Sequence, residues 1–109
     1  MGMRQNVAIK YSDGNKIYFY SHWDGESNRN TSPLADKVRT ALNRKLRWDD
    51  ESYLARIIFC EIVKEHIDEE TGFGIQPYEV DPEFPTIEID MAKQTVNGLP
   101  FQRFIDIGR

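Results

Sequence analysis

The residues of this chain best equipped for chemistry stand together in Tyr18-Phe19-Tyr20-Ser21-His22-Trp23-Asp24-Gly25. An imidazole exchanges protons near neutral pH, a carboxylate orients it or holds a cation, and an indole offers a stacking plane. Their position, where an alternating run meets a glycine, describes a strand end opening into a turn, a place where binding groups commonly sit. His22 with Asp24, Glu26, Asp49 or Asp50 would make an acid–base pair or part of a metal site. The same spacing also suits a purely structural corner, with His22 bonded to Asp24 and Trp23 buried under helices. The sequence leaves both readings open.

Other reactive side chains are few. Cys60 is the only cysteine and His22 and His66 the only histidines, which excludes an internal disulfide and a structural zinc site. Cys60 and His66 would lie about 240° apart around a helix, so they cannot pair as nucleophile and base, and Cys60 is expected in the core. No catalytic residue, metal or cofactor is therefore assigned, and a small hydrolase or metal-dependent enzyme using His22 and Asp24 is the weakest of three function classes. The candidate binding set is His22, Trp23, Asp24, Tyr20 and Tyr18, joined by Arg47 and Arg56 as bidentate partners for an anion. Gly72, Phe73 and Gly74 complete it, because glycines around a ring permit close backbone approach.

Charge separates along the chain. Lys37, Arg39, Arg44, Lys45 and Arg47 follow one another with no acid between them, whereas Glu61 to Asp90 is rich in carboxylates and holds Lys64 as its one lysine or arginine. One basic and one acidic patch are expected. The basic group, with Tyr18, Tyr20 and Trp23 as stacking rings, makes single-stranded nucleic-acid binding the alternative reading, but a net charge of −4 opposes it. The preferred class is binding without chemistry, to a protein or to a small anionic ligand such as a signalling nucleotide. With 109 residues, 39% of them hydrophobic, the chain is expected to be a single domain, 1–109. No apolar run reaches the ~20 residues of a membrane span and no signal-like segment leads the chain, so no membrane partner and a cytoplasmic location are expected.

These residues need a scaffold. Asn6–Tyr11 and Lys16–Ser21 read as strands joined by Ser12-Asp13-Gly14-Asn15. A two-residue loop pairs Ile9 with Tyr18; a three-residue loop, preferred, pairs Ile9 with Phe19 and gathers Val7, Ile9, Tyr11, Ile17 and Phe19 on one face. Tyr18, Tyr20 and His22 then share the other. Aromatic residues on both faces of so small a domain suggest a two-fold homodimer near Tyr18 and Tyr20, in competition with a ligand there. Ser32 caps a first helix with Pro33 in its first turn and an apolar stripe to Leu46; Asp49 or Asp50 caps a second, more buried one reaching about His66. Glu69 to Glu83 reads as irregular, Thr86–Asp90 and Gln94–Asn97 as a second hairpin, and residues 100–106 as a helical turn or a last strand. The fold expected is α+β, an antiparallel sheet from two hairpins with two main helices on one face, Val7, Ile9, Ile17 and Phe19 packing against Leu54, Ile57 and Ile58.

Three segments carry a resemblance: Tyr20-Ser21-His22-Trp23-Asp24-Gly25, then Arg47-Trp48-Asp49-Asp50-Glu51-Ser52-Tyr53-Leu54-Ala55-Arg56-Ile57, then Thr71-Gly72-Phe73-Gly74-Ile75. Together they resemble a group of small tailed-bacteriophage proteins, and the likeness covers most of the chain. It implies a phage origin, expression inside a bacterial host, and the class of small phage proteins that blunt host defences or redirect host machinery. It transfers no catalytic residue.

Overall fold

A computed structural model describes residues 3–108. Strands β1 (Gln5–Lys10) and β2 (Lys16–Ser21) form the first hairpin, with Ile9 opposite Ile17 and Val7 opposite Phe19. The register differs by two residues from the preferred one. The Asp13 carboxylate accepts from Asn15 N–H at 2.9 Å and Tyr11 N–H donates to the Asn15 carbonyl at 2.8 Å, so the chain closes over Ser12-Asp13-Gly14. A shift of two keeps every side chain on its face, and Val7, Ile9, Ile17 and Phe19 still share one side.

The sheet has six strands in the order β3-β2-β1-β4-β5-β6, adding β3 (Phe73–Gln76), β4 (Ile87–Asp90), β5 (Thr95–Val96) and β6 (Leu99–Pro100). The expectation of a wholly antiparallel sheet is corrected, because β4 runs parallel to β1, Val7 opposite Ile87 and Ile9 opposite Ile89. That alignment buries four β-branched side chains in one row. Segment 73–76, expected to be irregular, is strand β3 on β2; the glycines at 72 and 74 hide the alternation of Phe73 and Ile75. Residues 77–86 then carry the chain from beyond β2 to beyond β1. Asn6 fixes that crossing by donating to the Val80 carbonyl at 2.6 Å and accepting from Val80 N–H at 3.2 Å, while Gln5 donates to the Pro85 carbonyl at 2.7 Å. Both side chains are fully buried, which explains two amides so close to the core.

Helix α1 (Pro33–Asn43) starts as expected, with Ser32 Oγ accepting from Ala35 N–H at 3.1 Å and Asp36 in the first turn. It stops short of Leu46, which is exposed, because the chain leaves through Lys45 and Arg47 in left-handed conformation, φ 56 and 58°. Asp50 caps α2 (Glu51–Val63), accepting from Tyr53 N–H at 3.2 Å. Contrary to expectation α1 is the more buried helix, with six buried residues in eleven against five in thirteen for α2. The reason is a third helix, α3 (Phe101–Ile107), which settles the ambiguity at residues 100–106 and flanks α1 opposite α2. Val7, Ile9 and Phe19 share one core with Leu54, Ile57 and Ile58, Ile17 bordering it. Trp48 anchors the α1–α2 connection, its Nε1–H donating to the Leu42 carbonyl at 3.1 Å and its ring edge-on to Phe101 at 5.2 Å.

Candidate functional site

His22 and Asp24 do not pair with each other; each has its own partners. His22 Nδ1 lies 2.7 Å from the Tyr20 hydroxyl. Burial raises the Tyr20 phenol above its ordinary pKa, with Arg4 pulling down and Glu83 and Asp81 pushing up, so the hydroxyl keeps its proton and is available as the donor. Asp24 accepts from Ser21 Oγ at 2.8 Å and from Lys37 Nζ at 2.9 Å, and its backbone carbonyl accepts from Leu34 N–H at 2.9 Å. Lys37 also donates to the Ile62 carbonyl at 3.3 Å and lies 5.6 Å from the Phe73 ring centroid. One carboxylate and one ammonium thus tie the end of β2 to both long helices. His22 and Asp24 are thus not an acid–base pair with each other.

Trp23 departs from the structural reading. Its ring is not buried under helices but 48% exposed, lying on the backbone of Gly72, where a Cβ would fall 2.1 Å from the indole. Gly72 has φ +98°, so both the close approach and the backbone conformation exclude a side chain there. The indole meets His22 edge-on at 5.5 Å, Phe73 at 5.8 Å and His66 at 6.5 Å. His66, which the sequence reading passed over, lies 2.8 Å from Glu69 Oε2 and 5.3 Å from the Phe73 ring. Its signal was its position, six residues before Gly72 in a polar turn. At Gly74 a Cβ would meet Gln76 Oε1 at 3.4 Å, an ordinary contact, and Tyr18 lies half-buried opposite Gln76.

The two arginines expected at this corner are elsewhere. Arg47 lies over the Tyr53 ring at 5.2 Å, and Arg47 and Arg56 line a separate cleft with Arg44 and Cys60. Cys60 is exposed rather than packed in the core. The basic patch also shrinks. Arg39 is buried and donates to the carbonyls of Phe104 at 2.9 Å and Asn30 at 2.5 Å and to Asp36 at 2.6 Å, and Lys37 is bound to Asp24.

What the corner does leave open is backbone. β3 is an outer strand of the sheet, paired only with β2. His22 N–H donates to the Gly72 carbonyl at 2.9 Å, and hydrogen-bonded pairs alternate in an antiparallel ladder. Tyr20–Gly74 and Tyr18–Gln76 are therefore the bonded pairs, and the N–H and C=O groups of Phe73 and Ile75 point away from the sheet. Ile75 is 52% exposed, and Tyr78 is exposed just beyond the strand. Glu65 to Glu83 hold seven carboxylates, all exposed, and no lysine or arginine. The acidic segment expected from the sequence thus flanks β3 along the chain, Glu65 to Glu70 before it and Glu79 to Glu83 after it, the latter running back past Arg4 at the β1 end. Among the described residues no three His, Cys, Asp or Glu side chains are placed to share a metal ion, and no helix is long and apolar enough to cross a membrane.

Comparison of the chain with protein-family models, with curated proteins and with solved structures gives no match.

Proposed function

We propose that this chain is a non-catalytic binding protein that captures a protein partner at the outer edge of β3, a basic extended segment of the partner adding there as a strand. The observation that carries the reading is the open edge itself, with Ile75 and Trp23 exposed beside it. Sheet edges are normally blunted by lysine, proline or brevity. The opposite edge follows that rule, since β6 has two residues and one is Pro100. β3, four residues long and followed by Pro77, contains neither lysine nor proline, and strand addition supplies affinity through main-chain bonds with specificity from flanking side chains. The carboxylates that flank β3 along the chain favour a basic segment, and they disfavour a homodimer through this edge, which would bring like charges of two copies together.

The resemblance to small phage proteins supports a host factor of the bacterial cytoplasm as the partner, inhibited by capture, with a defence factor the first candidate. The nucleic-acid alternative has lost two of its five cations, Arg39 to the core and Lys37 to Asp24. The enzyme alternative has lost the His22–Asp24 pair.

The test uses proline. The Ile75 N–H points away from β2, so Ile75→Pro removes an outward donor while the β2 pairing stands. Immobilised wild-type protein is expected to retain a partner from bacterial lysate that the folded Ile75→Pro variant does not retain and that Trp23→Ala retains weakly. A partner held equally by wild type and Ile75→Pro contradicts the reading.

A further inference from the structure

A second site lies where the α1–α2 connection meets the outer face of α2. This cleft has a volume of about 290 Å³; Arg44, Leu46 and Arg47 line it from the connection, and Tyr53, Arg56 and Ile57 from the helix. Tyr53, Arg56 and Ile57 stand three and four residues apart and so share one helix face. Three arginines line it with no carboxylate among the lining residues, although Arg47 also borders Asp49 and Asp50 on its other side, and among the described residues none of the three forms an ion pair. A cavity over the sheet, by contrast, places Lys10, Lys16 and Lys93 among Glu88 and Asp90, which offset most of their charge.

The left-handed backbone at Arg47, φ 58°, goes with a guanidinium carbon 5.2 Å from the centroid of the Tyr53 ring. Arginine stacked on an aromatic ring keeps its N–H edges free for bidentate contacts, the geometry that suits a phosphate. Leu46, Tyr53 and Ile57 give the cleft apolar wall as well as charge. We infer that this cleft binds an organic phosphate of about mononucleotide size. The volume lies at the small end of ligand pockets, enough for one such molecule and too little for a larger one. The inference rests on residues other than those of the β3 edge, so either can fail alone.

Cys60 provides the readout, because it lines the same cleft, is exposed, and is the only cysteine. The full chain is titrated with ADP, inorganic phosphate and adenosine, following alkylation of Cys60 by the uncharged reagent iodoacetamide and the heat of binding. ADP is expected to bind and slow alkylation, inorganic phosphate to bind more weakly, and adenosine to do neither. Arg56→Gln and Arg47→Asn are each expected to weaken ADP binding about tenfold, by loss of a charge-assisted contact. Asn tolerates the left-handed conformation and both positions are exposed, so melting curves should match wild type. Trp23→Ala should leave ADP binding unchanged. Three results overturn the inference: no ADP binding at millimolar concentration, equal binding of ADP and inorganic phosphate, or ADP binding indifferent to both arginine variants. A single-stranded oligonucleotide bound more tightly than ADP through the same arginines would also overturn it, making the cleft part of a nucleic-acid surface.

Discussion

The corner at the end of β2 and the connection between α1 and α2 contain similar residue types, yet they spend them oppositely. At the corner nearly every polar side chain is committed to a neighbour: His22 to Tyr20, Asp24 to Ser21 and Lys37, His66 to Glu69. What stays available is an indole and a strand edge. At the connection Arg44, Arg47 and Arg56 form no ion pair among the described residues, and what stays available is charge. The difference separates positioning from recognition. Charges consumed in the fold make a rigid frame whose backbone can template a strand, whereas unconsumed charges on an exposed cleft recognise an anion at little cost to stability. Changes at the corner should therefore lower stability together with function, and changes at the connection should touch function alone.

The scale for that contrast is set by two neighbours in α2 that both border the cleft, Ile57, which is buried and belongs to the core, and Arg56, which is exposed. Ile57→Ala should cost about 2 to 5 kcal/mol in chemical denaturation, the largest effect, because it opens a cavity in the core. Asp24→Ala comes next, at roughly 2 to 3 kcal/mol, since it strands the mostly buried Lys37 ammonium and the Ser21 hydroxyl. Lys37→Ala in the same background should add little, and full additivity would show that the two do not act as a pair. Gly72→Ala should cost about 1 to 3 kcal/mol through its positive φ and its collision with Trp23, with a change in indole fluorescence as the ring is displaced. Unchanged fluorescence would place the ring elsewhere. Arg56→Gln, the smallest, should stay within about 0.5 kcal/mol of wild type. A loss comparable to Asp24→Ala would erase the distinction between the two regions.

Much of the frame was legible because it depends on local signals. Ser32-Pro33 and Asp50 behave as caps whatever surrounds them, and the face shared by Val7, Ile9, Ile17 and Phe19 survives a register shift of two because strand periodicity is two. Long-range choices were not legible. Nothing local says that Ile87 and Ile89 will lie parallel to Val7 and Ile9, since that pairing is decided by how the whole apolar row is buried. β3 was hidden because glycine at 72 and 74 lowers strand propensity, although Phe73 and Ile75 alternate between them. The candidate site was legible in half. His22, Trp23, Asp24, Tyr20, Gly72 and Phe73 do converge, but Arg47 and Arg56 do not, because the left-handed turn at Lys45 and Arg47 sends the connection to the far face of α2. Arg39 shows the same limit. A basic residue in a run of basic residues reads as surface, and only the packing of α3 against α1 shows that its guanidinium serves the Phe104 and Asn30 carbonyls.

The central claim is that β3 receives a partner strand, and amide hydrogen exchange measured with and without that partner tests it most directly. In the free protein the outward amides of Phe73 and Ile75 should exchange fast, while Gly74 and Gln76, bonded to β2, exchange slowly. On partner binding the account predicts strong slowing at Phe73 and Ile75, with the arginine cleft unchanged. Protection that appears at the cleft or on the face of Tyr18, with Phe73 and Ile75 still fast, would contradict it.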